Sequence, residues 1–189
     1  MSNGSHSDSL IHQLNICEQL ISRNNYETAC LFKPDGELIF KKRGTTKSVR
    51  FSRSQLMKMP GNILTHNHVF EQELAHYGLA SAISSSDIAL AFQHKLLEIR
   101  MTLGDARYSF KWTNAEQSKA NDLINRLETV ESGCKALLDK IDKKLYNLEY
   151  TTEDEYYTDY FATVRKNAED INTFLESNSD VGYVFDRED

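Results

Sequence analysis

The stretch Ile63-Leu64-Thr65-His66-Asn67-His68, followed by Ser84-Ser85-Ser86-Asp87-Ile88, decides how the chain reads. An apolar run ending in His-x-His predicts a buried strand that delivers two imidazoles to one place, because side chains two apart on a strand share a face. That is a ligand geometry. Ser84-x-x-Asp87 ahead of an apolar run predicts a helix start, with Asp87 one turn inside it.

Outward from this core, Pro60-Gly61-Asn62 turns the chain into the strand. Upstream, Glu27 to Phe32 and Glu37 to Lys41 flank Lys33-Pro34-Asp35-Gly36. Proline presets the first turn torsion and glycine accepts a positive φ, so these runs read as a hairpin. Arg43-Gly44-Thr45-Thr46-Lys47 is a polar break, Ser48 to Phe51 reads as a short strand, and Ser52 caps a brief helix through Met57. Ahead of them Leu10, Ile11, Leu14, Cys17, Leu20 and Ile21 recur at helical spacing from Ser9, and residues 1–8 are expected to be disordered.

Downstream, residues 69–80 read as a loop carrying a helical turn. The helix from Ser84 runs to about Leu96, with Ile88, Leu90, Ala91 and Leu97 available for burial. Glu98 to Leu103 and Ala106 to Trp112 form a hairpin around Gly104-Asp105. Residues 9–112 are thus an α+β domain, a mixed sheet with flanking helices.

Composition changes at Thr113. Leu123, Leu127, Val130, Cys134, Leu138, Ile141, Leu145 and Leu148 step by four and three, a heptad-like seam. Tyr150-Thr151 breaks it, and Thr152-Glu153-Asp154-Glu155 has the form of a capping box. A second helix follows, with Tyr157, Tyr160, Val164, Ala168, Ile171 and Leu175 on its apolar side. Residues 113–178 therefore read as an antiparallel helical hairpin, and 179–189 as an acidic tail whose end, Asp186 to Asp189, is expected to fray.

The net charge of -6 is unevenly distributed: from Thr151 onward there are eleven Asp/Glu against three Lys/Arg, so residues 1–150 hold 19 of the 22 basic and 17 of the 28 acidic residues. No basic footprint for nucleic acid appears. The three cysteines, Cys17, Cys30 and Cys134, contain no CxxC pair and read as buried thiols in a reducing compartment. No apolar run approaches a membrane span, and Met1 to His6 lacks the basic-then-apolar order of a secretion signal, so a cytoplasmic location is expected.

A catalytic zinc takes three protein ligands and leaves a position for water. His66 and His68 offer two ligands, Asp87 a third, and Glu27 opens the first strand as a candidate base. Each has a plainer reading: packed and solvated imidazoles, a capping box at Ser84 and Asp87, and a charge at a strand start. The word "HNH" also occurs in endonucleases, but there the residues are spread over a metal finger.

The order Tyr26-Glu27, hairpin, Arg43-Gly44-Thr45, short helix, strand into His66-Asn67-His68, and Ser84-x-x-Asp87-Ile88 resembles the JAMM/MPN (JAB) metalloprotease fold in its RadC-like form. Phe51-Ser52, Gly61-Asn62-Ile63, Leu97-Glu98-Ile99-Arg100 and Tyr108-Ser109-Phe110-Lys111 are similar to a segment at the C-termini of phage minor head (head-morphogenesis) proteins and some toxin-like proteins. The resemblance covers about residues 25–112 and not the hairpin. It implies that His66, His68 and Asp87 bind zinc, that Glu27 takes a proton from the attacking water, and that Ser84 donates to the oxyanion of a peptide or isopeptide undergoing hydrolysis. Val69 stands where the family usually has proline, and the stretch from His68 to Ser84 is longer than usual. Its extra residues read either as a lid bringing Glu71, Glu73 or His76 to the metal, or as displacing Asp87.

Two functions are expected from different classes. One is a phage-related, zinc-dependent JAB-like hydrolase on a protein substrate. The other is a non-catalytic phage-derived or anti-defence protein that occupies a protein partner with its acidic hairpin, in the host cytoplasm. The seam also allows a homodimer through the hairpin.

Overall fold

The computed structural model describes residues 4–69 and 83–188, with the backbone alone for 4–8. A six-stranded mixed sheet in the order β2-β1-β3-β4-β5-β6 separates two helical layers. Helix α1 (Gly4–Ile21) leads into β1 (Thr28–Phe32) and β2 (Leu38–Arg43), followed by a short helix α2 (Arg53–Leu56) and β3 (Ile63–Asn67). Helix α3 (Ser85–Gln93) carries the chain to β4 (Glu98–Leu103) and β5 (Ala106–Trp112). Long helices α4 (Gln117–Tyr146) and α5 (Glu153–Ser177) then precede β6 (Tyr183–Glu188).

The expected hairpins are present. At the first, Gly36 has φ +94° and its N–H donates to the Lys33 carbonyl, while Asp35 Oδ1 accepts from the Glu37 N–H. β1 lies antiparallel to both β2 and β3, and β3 runs parallel to β4 through the α3 crossover. The carboxyl end of β3 therefore opens beside the start of α3, the position where crossover sheets leave room for a ligand.

Strand alternation divides the sheet into two unlike faces. Leu31, Leu64, Ile99, Met101, Tyr108 and Phe110 form the main core under α3, α4 and α5. On the opposite face α1 packs Leu14 on Cys30, Phe32 and Ile63. Beside that small cluster lies buried Glu18, which accepts from Arg100 Nε at 2.6 Å and from Thr65 Oγ1 at 3.0 Å. Arg100 also donates to Glu98 at 3.0 Å, so the guanidinium neutralises two buried carboxylates.

The structure corrects several expectations. α1 begins at Gly4, so of the first eight residues 4–8 are helical; no proline or glycine interrupts propagation from the apolar stripe back to Gly4. Residues 48–51 form no strand: the Thr45 N–H donates to the Ser48 carbonyl, turning the chain, and the segment that follows pairs with no strand. α3 ends at Gln93, and in the turn after it Leu96 is buried whereas Leu97 is 48% exposed. The expected loop beyond Val69, with Glu71, Glu73 and His76, lies outside the described residues.

The largest correction concerns the C-terminus. Residues 183–188 are not a frayed tail but pair antiparallel with β5 along its length. Tyr183 stacks on Phe110 at 4.6 Å and its hydroxyl donates to the Leu175 carbonyl, while Arg187 pairs with Glu169 and Glu176 of α5. The hairpin is thus inserted between two neighbouring strands. Its base shares the main core through Leu123, Leu127 and Leu175. The seam holds to Ile141, and beyond it Leu145 and Leu148 are exposed. Buried Asn167 fixes the register of the two helices by donating to the Cys134 carbonyl at 3.1 Å.

Because β6 closes the core, Tyr183→Ala is expected to lower unfolding free energy by about 3 kcal/mol. Urea denaturation measures it. An unchanged midpoint contradicts an integral sixth strand.

Candidate metal centre

The site is assembled at the end of β3. His66 pairs with Ala29 of β1 and Met101 of β4, and the His68 N–H donates to the Thr102 carbonyl at 3.1 Å, continuing the alignment one residue past the strand. Alternation puts both imidazoles on the main-core face, with ring centroids 5.1 Å apart. Asn67 between them points the other way. Fully buried, its Oδ1 accepts from the Thr28 N–H at 2.7 Å and its Nδ2 donates to the Tyr26 carbonyl at 3.2 Å. The central residue of His-Asn-His therefore grips the backbone on both sides of Glu27.

Glu27 is held from β2 as well: its N–H donates to the Thr45 carbonyl and its carbonyl accepts from the Gly44 N–H. Glycine is required at 44 because a Cβ there would lie 2.3 Å from the Ser48 carbonyl oxygen.

Asp87 comes from the first turn of α3. Its Oδ2 accepts from the Ser84 N–H at 3.0 Å and from the Ser84 hydroxyl at 2.6 Å, and Ser84 Oγ accepts from the Asp87 N–H. The capping box expected from the sequence is complete. The same carboxylate also faces the imidazoles, with Oδ1 3.2 Å from His66 Nε2 and Oδ2 3.6 Å from His68 Nε2. Local capping and convergence on the histidines are one arrangement.

His66, His68 and Asp87 can hold a metal ion: each offers a ligand atom, and these atoms lie within 4.8 Å of one another. Two donors on one tetrahedral zinc, each at about 2.0–2.2 Å, sit about 3.4 Å apart, close to the carboxylate–imidazole separations seen. His66 supplies a second reason. It is buried, and although Nε2 lies 3.2 Å from Asp87 Oδ1, neither ring nitrogen has a hydrogen-bond partner of good geometry among the described residues, a shortfall that a bound cation at Nε2 removes.

Burial, the largest influence on His66, opposes its protonation, but the neighbouring Asp87 carboxylate and then Glu27 outweigh it, and the pKa is raised. Burial acts on Asp87 in the opposite sense; His66 and then His68 overcome it and hold the carboxyl well below its usual range. Glu27 is pushed up by burial and by Asp87, against the pull of His68 and His66. A carboxylate raised toward neutrality suits proton transfer.

Glu27, His66, His68, Ser84 and Asp87 line one cleft of about 500 Å³, walled by Val49, Phe51, Leu64 and Leu90 with Lys47 among its lining residues. Sequence reading missed two supports of this cleft. Asn67 looks like a spacer between histidines, and only the strand register shows what it reaches. Glu131 of α4 accepts from the Ser85 N–H at 2.7 Å and from the Ser85 hydroxyl, anchoring the first turn of α3. It lies 46 residues away, on a helix whose pattern speaks only for its apolar seam. Comparison with protein-family models, curated proteins and solved structures gave no match.

Two measurements follow from this geometry. In metal-free protein, Asp87, with its lowered pKa, contributes stability present above its unfolded value of about 3.9 and lost as pH falls through the folded one. His66, raised, contributes stability present below about 6.5 and lost as pH rises through its folded value. The stability difference between wild type and Asp87→Asn is therefore expected to peak between about pH 4 and 6.5 in thermal melts with chelator. Asn67→Ala should cost about 1–3 kcal/mol by leaving the Thr28 N–H and the Tyr26 carbonyl unpaired, as read by chemical denaturation.

Proposed function

We propose that the chain is a zinc-dependent hydrolase of the JAMM/MPN (JAB) type, phage-related, cutting a peptide or isopeptide bond in a protein substrate. The observation that carries this reading is that Glu27, His66, His68, Ser84 and Asp87 line one cleft although they come from three separate segments. The imidazole and carboxylate donor set is one zinc accepts.

When bound, zinc would supply Lewis acidity and lower the pKa of water to about 7. The chain's own residues then have separate tasks. His66, His68 and Asp87 hold the ion. Glu27 takes the proton of the attacking water and returns it to the leaving amine. Ser84 donates to the carbonyl oxygen as negative charge develops there, after its proton turns away from Asp87; Ser86 Oγ, 2.8 Å from Ser84 Oγ, is the adjoining hydroxyl. Val49, Phe51 and Leu90 make the cleft wall apolar, which strengthens these electrostatic interactions by excluding water.

A second reading rests on the far end of the hairpin. Tyr146 and Leu148 are 89% and 87% exposed there, beside the acidic first turn Glu153, Asp154 and Glu155 of α5. On this reading the chain is a phage-derived or anti-defence binding protein that occupies a protein partner, or a second copy of itself, through the hairpin. Either reading places it in the host cytoplasm. Among the described residues, no helix is long and apolar enough to cross a membrane.

Metal analysis of the purified protein should find close to one zinc per chain, and His66→Ala with His68→Ala should abolish it. Glu27→Gln should keep the metal while lowering hydrolysis of a fluorogenic peptide library about 10²–10⁴-fold. Metal-free wild type contradicts the hydrolase. Full biological activity in Glu27→Gln together with its loss in Leu138→Asp favours the binding reading.

A further inference from the structure

The face of the sheet opposite the metal centre carries two thiols. Cys17 lies on the buried stripe of α1, three residues after Leu14 and four before Ile21, which are 3% and 0% exposed. Its neighbour Glu18 reaches the Thr65 hydroxyl, and Thr65 is the cross-strand partner of Cys30. That contact sets Cys17 over Cys30: Cys17 packs against the cluster that Cys30 forms with Leu14, Phe32 and Ile63. Both thiols are reduced; Cys30 is buried and Cys17 half-buried, so solvent reaches the pair from the helix side.

A cation adjoins them. Lys41 of the edge strand β2 is directly opposite Cys30 in the antiparallel register, and side chains of such partners share a face. The Cys17 thiol, interacting directly with Cys30, lowers the Cys30 pKa against the effect of burial, and Lys41 adds to the lowering. The same contact and burial raise Cys17, so of the two sulfurs Cys30 ionises first and Cys17 retains its proton. A half-accessible dithiol with one shared proton and an adjacent ammonium is the setting in which cysteines react with oxidants.

We infer that Cys17 and Cys30 are a reversible redox pair, which a peroxide converts into a disulfide fastening α1 to β1. With the shared proton on Cys17, the Cys30 thiolate attacks a peroxide oxygen; the O–O bond breaks, water leaves after taking up a proton, and Cys30 becomes a sulfenic acid. The Cys17 sulfur then attacks Cys30, the S–S bond forms as the S–O bond breaks, and the departing hydroxide takes the Cys17 proton as a second water. Two thiols and one peroxide give one disulfide and two waters. A dithiol reductant reverses the change by exchange.

The fastened segment is the helix that carries Glu18 into the Arg100 network, so oxidation locks one layer of the fold and leaves the metal-ligand face untouched. Cys134 lies elsewhere, where its thiol meets the Asn167 carbonyl. It serves as an internal control.

The test treats the full-length protein with hydrogen peroxide, then denatures it and counts alkylatable thiols by intact mass. The count should fall from three to one and return to three with dithiothreitol, and peptide mapping should join Cys17 to Cys30. Cys134→Ser should still form the link. Cys17→Ser and Cys30→Ser, which change one atom each, should not, and Lys41→Met should slow closure several-fold. Amide exchange in α1 should slow in the oxidised protein. Three alkylatable thiols after oxidation, or a link through Cys134, overturns the inference.

Discussion

The Asp87 carboxylate serves two structural demands at once. It closes the capping box of α3 by accepting from the Ser84 amide and hydroxyl, and it sets the same two oxygens against His66 and His68. Without the cap, α3 would start with unsatisfied amides; without the imidazoles, a carboxylate this enclosed would lack countercharge. Helix start and ligand position are therefore a single constraint, and moving α3 by one residue would destroy both.

The other half of the constraint lies in β3. Strand alternation puts His66 and His68 on one face and Thr65 and Asn67 on the other, so one strand organises two unlike environments. Asn67 draws in the backbone flanking Glu27, and Thr65 receives Glu18 from α1. A register slip of one residue would turn both histidines toward the Glu18–Arg100 network and bury Asn67 in an apolar core. The polar pairing on the far face thus specifies the position of the ligands on the near one.

What could be read beforehand was what local chemistry governs. Pro34-Asp35-Gly36 and Gly104-Asp105 announce turns through their own torsions, Ser84-x-x-Asp87 announces a cap, and the seam from Leu123 to Ile141 announces a helix pair. The misreadings fall where distant contacts decide. Asp186 to Asp189 reads as an acidic end because its four residues are consecutive charges; just upstream Tyr183 and Phe185 stand two apart around Val184, which is also a strand pattern, and only the free edge of β5 selects it. Ser48 to Phe51 has strand-like composition, yet the turn closed by the Thr45 N–H on the Ser48 carbonyl leads into it and it joins no ladder. Of the candidate site, the cluster His66, His68 and Asp87 and the neighbouring Glu27 are legible as residue types at or beside strand and helix ends. Asn67 and Glu131 are not, since hydrogen bonds spanning 39 and 46 residues leave no trace in local pattern.

Glu131 changes what the hairpin is. A helical pair following an α+β sequence reads as an appendage, but here the chain leaves β5, runs out along α4, returns along α5 and completes the same sheet as β6. Leu123 and Leu127 are fully buried in the common core, and one turn beyond them Glu131 grips the amide and hydroxyl of Ser85 at the head of α3. Ser85 lies between Ser84, which donates to Asp87, and Ser86, whose hydroxyl adjoins that of Ser84. A carboxylate at a helix N-terminus is favoured by the helix dipole, so this contact is electrostatically matched as well as geometrically fixed. The exposed end of the hairpin and Asp87 on α3 are consequently parts of one continuous helical frame, and the candidate site is positioned as much by the segment after residue 113 as by the strands before it.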